Sequence, residues 1–432
     1  MSARRARVTP VVLAAVLVAS EAHAMGGAYL GEASRVAAQA GAVTAQPGDP
    51  GTMVQNPAGL GDVTRPQVLF GASAGRLTLG FARTGETSDA SPRWLSSLGV
   101  AIGTPLPGPW WLSRASIGAA LSAPAGRALD VRVDERSDAP VSPMYDTRAS
   151  HIASTLGLGY RLLDSLSVGV GLTLTPSFGV PTEVTYVAGR GKTRDRDLVV
   201  RLDRDLELGF SPLVGLRASP LPWLSLGLAY RAASVVHAQG KNRTSAGGVL
   251  ADDPFSYFQM WDPETLSFGV SALLGDDVRA SADLAYERWS AFRTAFDEAP
   301  SPAFRSVPRA RGAVDARVSS LVRVRAGYSY EPTPVPPQTR DSTFLGADTH
   351  VLGAGAALDL RPGLPLVVDA HVRAHVAATQ RATKTDVPDA RPELPGKQIE
   401  NQGYPGFEAR ALLLQAGFTM TWFLGRTARG AP

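Results

Sequence analysis

The chain has 432 residues, a net charge of only +4, 44% hydrophobic residues and not one cysteine. So small a charge gives no electrostatic footprint for nucleic acid. The lack of thiols excludes a disulfide framework, a thiolate metal site and a thiol nucleophile.

Arg4, Arg5 and Arg7 open the chain, followed by an apolar run from Val8 to Val18 that only Thr9 and Pro10 interrupt. Ala22-His23-Ala24 is a small-x-small cleavage signal. This is the layout of a secretory signal peptide cut after Ala24. The run is too short for a membrane-anchoring helix, which needs roughly 20 apolar residues. The exported chain is then a large soluble enzyme or an outer-membrane barrel, and periodicity decides between them. Residues 25–64 come next, rich in Ala and Gly, with a helical look from Glu32 to Gly41 and a turn at Asn56-Pro57. They cannot be strands.

From there the pattern changes to alternation. In Ser165–Thr175 the residues Leu166, Val168, Val170, Leu172 and Leu174 alternate with Ser, Gly and Thr. Successive side chains of a strand point to opposite faces, so one face is aliphatic and the other small or polar. Leu156, Leu158, Tyr160 and Leu162 repeat the pattern, as do Leu224–Tyr230, Leu266–Leu274 and Leu412–Leu424. The spacing predicts fourteen strands, over 66–83, 94–104, 113–123, 149–162, 165–180, 206–219, 222–237, 263–275, 277–291, 307–316, 319–331, 348–361, 364–378 and 408–424. The first is long enough to hide a bulge near Gly75, and Pro308 with several Arg interrupts the tenth.

Short connections such as Leu163-Asp164-Ser165, 219–222, Gly275-Asp276-Asp277 and 361–364 alternate with long polar ones at 124–148, 181–205, 238–262, 292–306, 331–347 and 379–407. Alternating segments of ~10 residues, joined by short turns on one side and long loops on the other, are how outer-membrane barrels are built. The expected fold is all-β, a fourteen-stranded antiparallel transmembrane barrel over residues 65–432. Eight strands already make an interior that side chains fill. Fourteen leave a lumen, and residues 25–64 are the segment available to plug it.

Four pieces in order carry a resemblance: Asn56-Pro57-Ala58-Gly59-Leu60, then Asp262–Val270, then Tyr286–Phe292, and above all Val324–Leu358 with its Gly-Tyr strand, Pro-Val-Pro loop and Asp-x-His segment. The chain resembles the FadL family of outer-membrane transporters for long-chain fatty acids and other hydrophobic compounds. The resemblance implies a plugged barrel in the cell outer membrane. Cargo would be captured among extracellular loops, passed to a pocket beside the plug, and released sideways near the third strand. One departure is the tail: Trp422-Phe423-Leu424 is followed by GRTARGAP, whereas such barrels usually end on an aromatic residue that helps their assembly.

Candidate ligand-binding residues follow from composition. Phe255, Tyr257, Phe258, Met260 and Trp261 form the most aromatic run in the chain, in an expected extracellular loop. They read as a capture site for apolar cargo, as an interfacial aromatic belt, or as loop packing. Asn56 and Pro57 read as turn residues of the plug or as part of an inner ligand pocket. Gly189–Asp205, with six cations and four anions, reads as a solvated loop suited to lipopolysaccharide phosphates, or as a carboxylate site. Pro124 and Gly126 read as a strand end or a wall opening. His371 and His375 share a strand face but stand about 13 Å apart, too far to share a metal. No GxSxG motif appears, so the chain does not read as an enzyme, and no residue pattern requires a cofactor. Long-chain fatty acids or other apolar molecules, outer-membrane lipid and lipopolysaccharide are the expected partners. The alternative is a FadL-like scaffold for protein secretion or surface assembly, with a protein partner and no small-molecule cargo.

Overall fold

The structure, a computed structural model, describes residues 33–83, 91–125, 152–179, 182–186, 198–202, 205–246, 249–293, 299–339, 344–361, 363–385 and 405–425. The expected signal peptide and the first eight residues of the expected plug lie outside them. The strands are β1 (Gln67–Arg83), β2 (Ser91–Pro105), β3 (Ala115–Pro124), β4 (Ala153–Leu163), β5 (Leu166–Gly179), β6 (Thr182–Tyr186), β7 (Leu198–Leu202), β8 (Asp205–Leu221), β9 (Leu224–Arg231) and β10 (Ser234–Ala246). There follow β11 (Val249–Asp262), β12 (Thr265–Leu274), β13 (Val278–Glu287), β14 (Val307–Arg317), β15 (Val322–Glu331), β16 (Thr349–Asp359), β17 (Leu366–Ala377), β18 (Gln380–Thr383) and β19 (Gly406–Phe423).

Fourteen of these close into one antiparallel barrel, in the order β1-β2-β3-β4-β5-β8-β9-β12-β13-β14-β15-β16-β17-β19. Closure runs from Gln67 opposite Phe423 to Arg83 opposite Phe407. A closed barrel has no free edge, so every strand finds its backbone partners without water. The outer face is apolar and exposed, with Leu158, Val170, Val214, Leu228, Phe268 and Leu284 among its residues. Their neighbours Gly157, Gly169, Gly215, Gly227 and Gly269 point the other way. Trp110, Trp111 and Trp223 are exposed at the short-turn end, and Tyr230, Tyr286 and Tyr328 towards the loop end. Two aromatic girdles of this kind flank the apolar band of an outer-membrane barrel. Among the described residues no helix is long and apolar enough to cross a membrane; the strands cross instead.

Residues 33–63 pack against the small-residue face. They form a short helix α1 (Ser34–Ala38) and two 3₁₀ turns, η1 (Pro50–Thr52) and η2 (Pro57–Asp62). The helix rests on β15, β16, β17 and β19, and η2 on β3, β4, β5 and β8. The reason for the wall's glycines is contact distance. A Cβ at Gly169 would collide with the Pro57–Ala58 backbone, one at Gly227 with Thr44, and one at Gly327 with Gln39. Polar bonds fix the same interface. The Ser34 N–H donates to Thr419 Oγ1 at 2.8 Å, the Thr44 N–H to Asp283 Oδ2 at 2.9 Å, and Arg217 to Asp62 at 2.6 Å. Met53, Leu60 and Val63 bury an apolar cluster against Ala120 of β3.

Four expectations are corrected. The strand expected over 222–237 divides into β9 and β10, because the chain leaves the wall after Arg231: Ser211 Oγ donates to Ala232 O, and β10 pairs with β11 alone. The loops expected at 238–262 and 181–205 contain hairpins, β10–β11 and β6–β7. Polar and aromatic composition had suggested irregular loop, but two strands that pair only with each other need no buried apolar face. No bulge interrupts β1, whose register with β2 and β19 is continuous through Gly75. The strand expected over 277–291 stops at Glu287, after which a 3₁₀ turn η3 (Trp289–Ala291) swings the chain over the barrel end.

Candidate functional site

Between residues 33–57 and the loop-side end of the barrel lies a cavity of about 190 Å³. Ala33, Gly41, Thr44, Val54 and Pro57 form its floor. Its walls come from nearly the whole circumference, and the two sides differ. Strands β1 to β5 and β8 contribute mostly Gly, Ala, Ser and Thr, such as Gly71, Ser97, Ala120 and Thr155, with Leu69, Val100, Leu121 and Leu213 among them, and β9 adds Tyr230 and Arg231. Strands β13, β14, β15 and β17 contribute Glu287, Arg309, Arg311, Glu331 and Arg373. Further along β1, Leu77 packs with Leu95 and Leu413 in a buried apolar cluster.

The charged side is an ordered network. Arg309 bridges Glu287 at 3.1 Å and Glu331 at 3.5 Å, and all three side chains are buried. Trp289 Nε1 donates to the same Glu287 oxygen at 2.9 Å. Below, on the other side of α1, Arg325 joins Asp315 at 2.8 Å and also pairs with Asp369. Buried charges persist only when paired in this way. His371 and His375 are both buried on β17; His371 Nδ1 lies 2.9 Å from Ser34 Oγ. Among the described residues no group of side chains is arranged to hold a metal ion.

Trp289 links this network to an aromatic cluster over the barrel end. Trp261 meets Trp289 at 5.2 Å and Phe292 edge-on at 5.3 Å, Phe292 stacks on Phe304 at 4.8 Å, and Phe304 meets Phe344 at 5.2 Å. Val307 and Val335 complete it. The cluster joins the ends of β11, β13, β14, β15 and β16. At its rim Arg288 and Tyr230 donate to Glu264 at 3.1 and 3.0 Å. These bonds, that of Arg288 foremost, hold the Glu264 carboxyl below its ordinary pKa. Truncating Phe292 to Ala removes the ring at the centre of this packing and should cost about 3–5 kcal/mol. The expected readout is faster tryptic cleavage at Arg293 in a barrel that still resists heat in gel mobility.

The residues singled out in the sequence fall in different places. Trp261 is half-buried in the aromatic cluster. Phe255, Tyr257, Phe258 and Met260 lie on β11, and their side chains are outside the described residues. Pro57 lines the cavity. Asn56 does not: it caps η2, accepting from the Ala58 N–H at 3.0 Å and donating to Thr44 O at 2.8 Å and Leu216 O at 3.1 Å. Pro124 ends β3, and Gly126 is outside the described residues, as are residues 189–197 and 203–204 of the charged loop. Sequence reasoning missed Glu287, Arg309, Glu331 and Arg373. Their signal was present: each occupies an inward position of a strand, where alternation leads one to expect Gly, Ser or Thr.

The family model described as "Outer membrane protein transport protein (OMPP1/FadL/TodX)" matches residues 15–404. The chain belongs to this family. It is therefore an outer-membrane β-barrel of a family that transports hydrophobic compounds. No curated protein matches it. Among solved structures, a FadL homologue of Pseudomonas aeruginosa is similar with a TM-score of 0.62 at 15% identity, covering 91% of this chain and 98% of that one. The toluene transporter TbuX of Ralstonia pickettii gives 0.54 at 15% identity, over 92% and 99%. The toluene transporter TodX of P. putida gives 0.56 at 12%, over 92% and 100%. At such identities these neighbours speak for the fold alone.

Proposed function

We propose that this FadL-family barrel carries hydrophobic small molecules inward across the outer membrane, down their gradient, with residues 25–64 as the plug that seals the lumen to polar solutes. The observation that carries the reading is the cavity above residues 33–57. Its size of about 190 Å³ compares with the ~150 Å³ that admits benzene in other proteins. It holds one ring-sized body or a stretch of an acyl chain. Long-chain fatty acids are one cargo class the site suits: the acyl chain gains ~0.8 kcal/mol per buried CH₂, and Arg311 and Arg373 offer cations to the head group. Toluene-like molecules, named for two of the neighbours, are another. The cavity reaches Val100 and Leu121, opposite each other across β2 and β3 and exposed on the outer face. That favours sideways release into outer-membrane lipid at the third strand.

Capture falls to the aromatic segment of β11 and the cluster that Trp261 joins. The test is uptake of a labelled long-chain fatty acid, with toluene in parallel, by a host lacking its own transporter. The host expresses the chain intact or with Phe255, Phe258 and Trp261 all changed to Ala, at matched surface levels. Uptake by the intact chain and a several-fold loss in the variant are expected. Uptake that ignores the substitutions would leave transport standing and reduce the aromatics to packing. A folded barrel that takes up neither cargo would overturn transport and turn attention to a protein partner.

A further inference from the structure

The cavity has a second polar side, where a group of hydroxyls stands near Arg231 and Asp262. Thr175 of β5, Ser211 of β8 and Ser234 of β10 all line it, and all three are buried. They are neighbours in the topology. Thr175 stands opposite Gly209 and Thr173 opposite Ser211 across β5 and β8. Ser211 Oγ donates to Ala232 O at 2.6 Å, two residues before Ser234. This is where the chain leaves the barrel wall for the β10–β11 hairpin.

Most hydroxyls around the cavity are satisfied within the protein. Ser73 and Ser97 bond at 2.8 Å, Thr155 and Thr173 at 2.9 Å, and Thr419 donates to Ser34 at 3.1 Å. Thr175 Oγ1 and Ser234 Oγ are shielded from solvent and have no hydrogen-bond partner. A buried polar group left unpaired costs about 1–3 kcal/mol. Two such groups on one side of a ligand cavity mark a place where a ligand restores what the protein leaves unmade. A turn about χ1 presents either hydroxyl to the cavity.

We propose that Thr175 and Ser234, with Ser211 between them, form a subsite for a neutral hydroxyl, so that the preferred cargo is an apolar molecule bearing an alcohol or phenol group rather than a pure hydrocarbon. The inference rests on the transport reading above and names the cargo of its cavity. A ligand hydroxyl suits the site because it donates once and accepts twice, and so can serve both orphaned side chains. An alkyl or aryl group of the same size serves neither. In a purely apolar cavity the order is reversed, since a buried hydroxyl without a partner is penalised.

The experiment uses the full barrel in lipid nanodiscs and a matched pair of probes, toluene and p-cresol, with free ligand measured by headspace analysis or equilibrium dialysis. The wild type is expected to bind p-cresol at least about fivefold more tightly than toluene. The isosteric Thr175→Val change, combined with Ser234→Ala, is expected to lower p-cresol affinity about tenfold and leave toluene unchanged or improved. Gel mobility before and after heating confirms that the variant folds. Toluene bound as well as or better than p-cresol in the wild type would overturn the subsite while leaving transport intact. So would a variant that leaves the preference for p-cresol over toluene unchanged, the result expected if water alone satisfies the hydroxyls. Binding of neither probe, together with absent uptake, would overturn the transport reading itself.

Discussion

If residues 33–63 seal the lumen, as proposed, changing Gly169, Gly227 and Gly327 together to valine should open a pore. Each of these glycines faces the backbone of residues 33–63, and an added Cβ at each would overlap main-chain atoms of Pro57–Ala58, Thr44 and Gln39 respectively. Main chain cannot swing aside as a flexible side chain can, so the whole N-terminal segment must move. The wall itself should tolerate the change, because valine is at home in strands and the ladder hydrogen bonds do not involve the side chain. The expected readouts are a stable step in planar-bilayer conductance and a sensitivity of the host to polar antibiotics that the wild-type barrel does not confer. Gly312→Val is the control, since its Cβ would meet only Ser281 O at 4.0 Å. If the triple variant folds and stays non-conducting, or the wild type already conducts like a porin, residues 33–63 are not the seal.

Arg309→Met should strongly destabilise the wall. It leaves Glu287 and Glu331 buried without the cation that bridges them at 3.1 and 3.5 Å. Removing one partner of a buried ionic group costs about 3–5 kcal/mol, because the remaining charges keep their desolvation penalty. The urea midpoint of the barrel in lipid should fall accordingly. Combining Arg309→Met with Glu287→Gln and Glu331→Gln should recover most of the loss, since no charge of the trio then remains buried. A single variant that unfolds at the wild-type midpoint would mean that water already screens the trio from the cavity side.

Much of the fold was legible because a membrane barrel imposes a simple rule on its strands. Leu156, Leu158, Val170 and Val214 must face lipid, and the intervening positions must not. Alternation therefore located all fourteen wall strands, although the one expected over 222–237 ran on past the end of β9 at Arg231. It failed where the rule lapses. Beyond the membrane nothing requires an apolar face, so β10 and β11 looked like loop although Ser234–Ala246 pairs with Val249–Asp262. Asn56 and Pro57 were legible as a turn, yet only the packing separates their roles, one holding η2 against β8 and the other lining the cavity. Trp261 was legible as an apolar loop residue; its partners Trp289, Phe292, Phe304 and Phe344 come from connections far apart in the chain.

The sequence by itself determined what depends on local pattern: strand number, the lipid-facing side, the N-terminal segment set apart by composition, and the family. Tertiary structure alone decided what depends on closure. Joining β1 to β19 brings inward residues of strands distant in the chain around one space. Only there do Glu287, Arg309 and Glu331 become a buried network, and Thr175 and Ser234 a pair of unanswered hydroxyls beside the same cavity. No spacing rule along a chain encodes such a meeting, because the distances that matter run across the lumen.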